Sequence, residues 1–137
     1  MATAAVVDSG FLVALLSTRD SHNAWAVDQA GRFVTPWHTC EAVLSETFHV
    51  LPQYAAPTLA GLLERQAVLV SFDLTLNLEA VLAFMRKYAD LPIDLADACL
   101  VRMTEVLADP IVLTTDMHFR SYRRHSRLVV PCVMPHH

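Results

Sequence analysis

The chain has 137 residues, of which 54% are hydrophobic and 18% are charged, and its formal net charge at pH 7 is −4. This length predicts one domain, residues 1–137, with apolar residues in excess of what its core needs, so we expect self-association or a tight protein partner. The negative balance argues against a protein that coats nucleic acid generally, but it leaves open an enzyme that acts on nucleic acid.

The first half of the chain alternates short apolar runs with helical patterns. The segment 21–31 reads as a helix that begins at Ser21 and ends at Gly31, and the helix over 39–51 is ended by Pro52. In chain order, the pattern predicts a strand over 3–7, helices over 9–17 and 21–31, a strand over 32–35, and helices over 39–51 and 56–66.

The second half continues the same alternation. Asp94 is placed to open the helix that follows it. The predicted elements are a strand over 67–71, helices over 75–90 and 94–107, a strand over 111–115, a short helix over 116–124 and a last strand over 127–131. Short apolar strands separated by helices predict an α/β fold with a mainly parallel sheet.

Several kinds of site are excluded or disfavoured by composition. With only three glycines, the chain has neither a P-loop nor a dinucleotide-binding glycine loop, and no GxSxG or HExxH motif is present. The three cysteines show no metal-ligand spacing, so we interpret them as reduced core residues of a cytoplasmic protein. No basic leader or apolar run long enough for a bilayer span occurs, and no membrane association is expected.

Four acidic residues are predicted to converge. Asp8 follows the first strand and Asp116 the strand over 111–115, so both lie at the carboxyl ends of parallel strands, while Asp97 and Glu46 lie on helices. Each alone has a simpler interpretation, as a helix cap, a dipole partner or a surface residue, and Asp94 is best interpreted as a cap. Together they would repel one another without a cation, and Mg²⁺ or Mn²⁺ prefers such oxygen ligands.

Four of the ten basic residues lie in "RSYRRHSR", residues 120–127. This cluster is either a solvated helix end or a phosphate-contacting surface near the acids.

In the segments that carry the four acids and the basic cluster, the sequence resembles the PIN domain family, and specifically its VapC-type toxins. The resemblance rests on "VVDSGFLVALL", "TCEAVLSETFHVL", "YADLPIDLADACLVRMTE" and "VLTTDMHFRSYR", which follow one another across almost the whole chain. It implies a three-layer α/β/α domain, a Mg²⁺- or Mn²⁺-dependent endoribonuclease, a homodimer, and an antitoxin protein as partner.

The resemblance also implies roles for individual residues. Asp8, Glu46, Asp97 and Asp116 match the family's metal ligands and catalytic acids, with Asp94 in support. The resemblance also suggests Ser9 and Thr115 as residues that hydrogen-bond the ligands or the scissile phosphate. For hydrolysis of RNA, the basic cluster offers Arg120, Arg123 or Arg124 as contacts to the RNA backbone.

One position departs from the family pattern. His118 stands before Phe119 where many relatives carry a further acid, which puts a second metal position in doubt. Two alternatives stay open: a non-toxic RNA-processing or RNA-binding PIN-like protein, and a Mg²⁺-binding receiver-like signalling domain. The second alternative needs a lysine at a late strand end, whereas the single lysine, Lys87, lies in a predicted helix.

Overall fold

The computed structural model describes residues 3–136; residues 1, 2 and 137 lie outside that range. Helices and strands alternate along the described chain, as the sequence predicts. The strands are β1 (Ala4–Val7), β2 (Trp37–Thr39), β3 (Val68–Val70), β4 (Pro110–Leu113), β5 (Arg123–Arg124), β6 (Leu128–Val129) and β7 (Cys132–Val133). The helices are α1 (Ser9–Leu16), α2 (Asn23–Ala30), α3 (Glu41–Val50), α4 (Ala56–Glu64), α5 (Leu74–Lys87) and α6 (Leu95–Val106), with 3₁₀ turns at Gln53–Ala55 and Met117–Arg120.

Five strands form one parallel sheet in the order β3-β2-β1-β4-β7. The central strand β1 is covered on both faces, and Ala5, Val6 and Val7 are completely buried. Such a strand has to be apolar throughout, because neither face meets water. The predicted α/β fold with a mainly parallel sheet is therefore confirmed, in a three-layer arrangement.

The core continues from the sheet into α6 and α1. Eight of the twelve residues of α6 are buried, including Leu100 and Val101. On α1, Phe11 is fully buried, and its ring packs edge-on against Trp25 and Trp37 at centroid distances of 5.9 and 5.5 Å. Burying a side chain of this size stabilises the fold by about 2–3 kcal/mol. This packing fixes the first turns of α1 and α6, where Asp8 and Asp97 lie.

Two boundaries in the first half were predicted wrongly. The strand expected over 32–35 is instead Trp37–Thr39, because the ladder starts only after Pro36, which has no N–H to donate; Trp37 N–H then donates to Ala67 at 2.8 Å. Helix α2 begins at Asn23, since Asp20 rather than Ser21 accepts the nearby backbone N–H of His22. Its predicted end at Gly31 is confirmed.

The predictions for the last quarter also need correction. The helix expected over 116–124 is a single 3₁₀ turn, after which β5 pairs with β6 in an antiparallel hairpin. The hairpin turn puts His125 and Ser126 at positive φ, and they are held from outside, because Glu105 accepts from His125 N–H and Lys87 donates to the Ser126 carbonyl. The last strand of the main sheet is β7, beyond the predicted 127–131.

None of the helices found between residues 3 and 136 combines the length and apolar character needed to cross a bilayer.

Candidate active site

Five acidic side chains line one pocket of about 400 Å³ at the carboxyl ends of β1 and β4. Asp8 follows β1 directly, and Asp116 follows β4, whose Leu113 pairs with Val7. The pocket is completed by the start of α6 and by one residue of α3. Its acids are Asp8, Glu46, Asp94, Asp97 and Asp116, and its other lining residues are Ser9, Gly10, Pro92, Thr115 and His118. The structure thus brings together all the acids predicted from the sequence.

Asp8 is nearly buried and is held by two donors. Its Oδ1 accepts from the Ser9 N–H at 2.7 Å, and its Oδ2 accepts from the Thr114 hydroxyl at 2.6 Å. The same Thr114 oxygen accepts from the Asp116 N–H at 3.0 Å. One fully buried threonine therefore fixes both strand-end acids, a role that the sequence argument did not assign.

Thr115 lies on the pocket wall instead, over Gly10. A Cβ on Gly10 would overlap the Thr115 hydroxyl oxygen, so a larger residue at position 10 would force the Thr115 side chain to move. The predicted role of Thr115 in contacting ligand or substrate stays a prediction.

The aspartates of the pocket cap helices or turns and also belong to the acidic cluster, so the two interpretations offered by the sequence are compatible. Asp94 accepts from the Asp97 N–H at 2.8 Å, and Asp97 accepts from the Asp94 N–H at 3.1 Å, which makes a reciprocal capping box at the start of α6. Asp116 accepts from the His118 N–H at 2.9 Å, and its Oδ1 lies 2.7 Å from His118 Nδ1. Capping hydrogen bonds therefore fix the positions of the four aspartate carboxylates of the pocket, whereas Glu46, inside α3, caps no helix.

The pocket carries a strong excess of negative charge. Burial raises the pKa of Asp8 to about 6, against the opposing hydrogen bonds from Thr114 and Ser9, and the charges of Glu46 and Asp116 add to the rise. Burial likewise raises the pKa of Asp97 to about 8, with contributions from the charges of Asp94 and Asp8. Among the ion pairs of the described chain, the contact of Asp116 with His118 is the one that reaches this pocket.

The oxygen atoms that line the pocket are of the type that binds a hard divalent cation. Carboxylate oxygens are the ligands that Mg²⁺ and Mn²⁺ prefer. Within residues 3–136, no three His, Cys, Asp or Glu side chains form a closed metal cluster, so the carboxylates surround the pocket without meeting at one point.

The basic residues near the pocket serve different purposes. The Arg124 guanidinium donates to the Thr104 carbonyl, and that of Arg123 donates to the carbonyls of Arg120 and Tyr122. Arg120 itself is exposed, at the end of the 3₁₀ turn that Asp116 caps. Lys87 donates to the Ser126 carbonyl and does not line the acid pocket, so the receiver-like alternative loses its required lysine.

Replacing Thr114 by valine should lower any cation-dependent activity by about 10- to 100-fold, because Asp8 and Asp116 lose the hydroxyl that orients them. Thr104→Val is the matched control: Thr104 is equally buried, and its hydroxyl only donates to the carbonyl of Val101 in the same helix. Kinetic assays on both variants, alongside thermal unfolding, check this. Equal losses in the two variants would contradict an orienting role for Thr114.

Comparison of the chain with protein-family models identifies a match that includes the acid pocket. A family model for the PIN domain matches residues 5–125. No curated protein matches the chain significantly. The matched range begins inside β1, ends just after β5 and holds every acid of the pocket. The chain therefore belongs to the PIN domain family.

Proposed function

We propose that this protein is a Mg²⁺- or Mn²⁺-dependent endoribonuclease that hydrolyses RNA phosphodiesters at the acid pocket. PIN domains are generally nucleases that act on RNA, and such nucleases typically use divalent metals. The observation that carries the proposal is the convergence of five acids on one pocket that, among residues 3–136, no lysine or arginine lines. A pocket of this charge is unfavourable unless a cation or protons neutralise it.

The acids have distinct parts in this proposal. Asp8, Asp97 and Asp116 hold the cation, and Glu46, exposed on α3, also lines the pocket and completes the set of ligands. Asp94 supports Asp97 through the capping box. When bound, a divalent cation supplies charge stabilisation on the phosphate under attack and a nucleophile at neutral pH.

Substrate contacts come from the rim of the pocket. Ser9 and Thr115 line it and offer hydroxyl groups to a phosphate. Arg120 is the exposed arginine nearest in sequence to Asp116, and it suits an RNA backbone contact. The guanidinium groups of Arg123 and Arg124 donate hydrogen bonds to backbone carbonyls, so these residues contribute to RNA binding chiefly through their charge.

We further propose that the protein is the toxin of a toxin–antitoxin pair, acts in the cytoplasm, dimerises and binds an antitoxin. The sequence resemblance to VapC-type toxins supports this. So do the large apolar side chains left at the surface, among them Leu76, 82% exposed, and Val34, 69% exposed. Expression with and without a small gene encoded next to it tests the toxin role: growth arrest that the neighbour relieves is expected.

Incubation of the purified protein with total cellular RNA tests the proposed activity. We expect discrete cuts with Mg²⁺ or Mn²⁺, no cuts after chelation, and restored cuts when the cation is returned. Sequencing of the new ends would identify the RNA. Cleavage that persists in chelator, or a folded protein that cuts no RNA and binds no divalent cation, would overturn the proposal.

A further inference from the structure

A second pocket, of about 300 Å³, lies between the first turns of α3, α5 and α6, and we call it the side pocket. Its walls are largely apolar, since Phe72, Leu74 and Leu95 line it. Among the described residues that line it, Glu41 carries the one charged side chain, and Ser45 adds a hydroxyl group. A mostly apolar pocket with a few polar groups is typical of a site for a small organic group.

The side pocket is continuous with the acid pocket. A connecting cavity of about 400 Å³ shares Glu46 and Asp94 with the acid pocket. The same cavity shares Ala42, Ser45 and Leu95 with the side pocket. On α3, residues 42, 45 and 46 have the spacing i, i+3 and i+4, so they lie on one face of the helix and form one wall along the whole path. A ligand held at the acids can therefore extend into the side pocket.

The two pockets differ in chemistry as the two ends of a nucleotide do. The acid pocket is lined by carboxylates, which a cation bridges to a phosphate. Leu95, 37% exposed, directly follows Asp94 and offers an apolar surface beside those carboxylates. A nucleobase has apolar faces and a polar edge, and unstacked bases of single-stranded RNA bind in pockets of this kind. The occupant that matches both pockets at once is one RNA strand, with its phosphate at the acids and a neighbouring base in the side pocket.

Glu41 gives the side pocket a preference among bases. It lies in the first turn of α3 with an exposed side chain, and no ion pair among residues 3–136 engages it. A carboxylate has two acceptor oxygens and binds best to two donors that lie side by side. Of the four RNA bases, guanine alone presents such a pair, N1–H and N2–H₂, on its Watson–Crick edge. Uracil presents carbonyl oxygens on either side of a single donor, and these would face the carboxylate unfavourably.

We propose that the side pocket binds the guanine base of a nucleotide next to the scissile phosphate, with Glu41 accepting from N1–H and N2–H₂ and with Phe72 and Leu95 contacting the ring. This inference rests on the proposed function, because it takes the scissile phosphate to lie at the acid pocket. It adds base selection to a site whose acids act on the RNA backbone.

Cleavage of an RNA library with randomised positions, followed by sequencing of the ends, tests the selection. We expect guanine at one fixed position beside the cut, favoured about 10- to 100-fold over uracil. Glu41→Gln should lose this preference, because glutamine keeps one acceptor oxygen and replaces the other by a donor. Its affinity for Mn²⁺ should stay that of the wild-type protein. Glu64→Gln is the matched control: it removes the same charge from an exposed residue of α4 that lines neither pocket, and it should keep the preference.

A binding measurement tests the same pocket without the cleavage reaction. Guanosine added to the isotope-labelled protein in chelator should shift the amide resonances of residues 41–46 and 95–99, which border the side pocket. Uridine at the same concentration should shift them at least 10-fold less. Glu41→Gln should remove the difference between the two nucleosides, and Glu64→Gln should retain it.

The outcomes separate this inference from the proposed function. Cation-dependent cleavage without a base preference beside the cut would overturn the inference alone, as would a guanine preference that Glu41→Gln retains. Equal shifts with guanosine and uridine, or no shift with either, would also overturn it. A protein that cuts no RNA with any divalent cation would overturn the proposed function and, with it, the inference.

Discussion

Replacing Asp8 by asparagine should lower the rate of cation-dependent RNA cleavage by about 1,000-fold or more. The variant loses a charged ligand at the buried floor of the pocket, and about 4 kcal/mol of transition-state stabilisation corresponds to that factor. The amide oxygen can still accept from the Ser9 N–H, so the start of α1 should stay capped. Single-turnover cleavage of the RNA identified by end mapping is the measurement.

Asp73→Asn is the matched control for this variant. Asp73 also caps a helix, since it accepts from the Leu76 N–H at 3.1 Å at the start of α5, but it is exposed and does not line the pocket. Its replacement should leave the cleavage rate unchanged. Equal rates for Asp8→Asn and the wild-type protein would show that the chemistry does not depend on this carboxylate.

The metal-free protein should lose stability as the pH rises from about 4 to about 8, and a divalent cation should restore it. The folded-state pKa of Asp8 is about 6 and that of Asp97 about 8, both above the ordinary 3.8, so the folded state holds protons that the unfolded state has released. Stability from these groups is complete below pH 4 and is lost as the pH passes through the folded values. For Asp8 alone the loss is about 3 kcal/mol, which lowers the unfolding midpoint by about 10 °C.

Thermal unfolding in chelator across this pH range, repeated with Mg²⁺, checks the prediction. Mg²⁺ should raise the midpoint more at pH 8 than at pH 5, because the cation competes with protons for the same carboxylates. NaCl at equal ionic strength controls for screening. In Asp97→Asn the decline above pH 6 should flatten. A midpoint that rises with pH, or that NaCl raises as much as Mg²⁺ does, would contradict the prediction.

Much of the fold was predictable because local pattern and tertiary environment agree there. The run "AAVV" forms the buried central strand, and Asp94 caps α6 as its position before "LADACL" suggests. Where the two disagree, the prediction was wrong. The run at 32–35 has strand-forming residues but precedes Pro36, and the segment after Asp116 has helix-forming residues but is drawn into a hairpin by contacts with Glu105 and Lys87.

Four acids of the pocket could be located from sequence because each follows a strand end or lies at the start of a helix, and parallel strands bring such positions together. Glu46, in the middle of α3, was singled out instead as a carboxylate within an apolar segment and by the family resemblance. The residues that hold these acids in position could not be located in the same way. Thr114 and Thr115 are adjacent in the chain, and only the register of β4 against β1 decides which of them reaches Asp8. The sequence likewise gives no sign that the hydroxyl of Tyr122 is buried without a hydrogen-bond partner among residues 3–136.

The family match ends at residue 125, but the sheet does not. Val130 is fully buried, and the backbone N–H groups of Val112 and Thr114 donate to the carbonyls of Pro131 and Val133 at 2.9 and 3.2 Å. A chain shortened to the matched range would leave β4 as a bare strand able to pair with other molecules, and would favour aggregation. The shortened chain would also lack the hydrogen bond from the Thr114 N–H to the Val133 carbonyl. The position of Thr114, and with it the hydrogen bond that holds Asp8, therefore depends on a strand beyond the range that the family model matches.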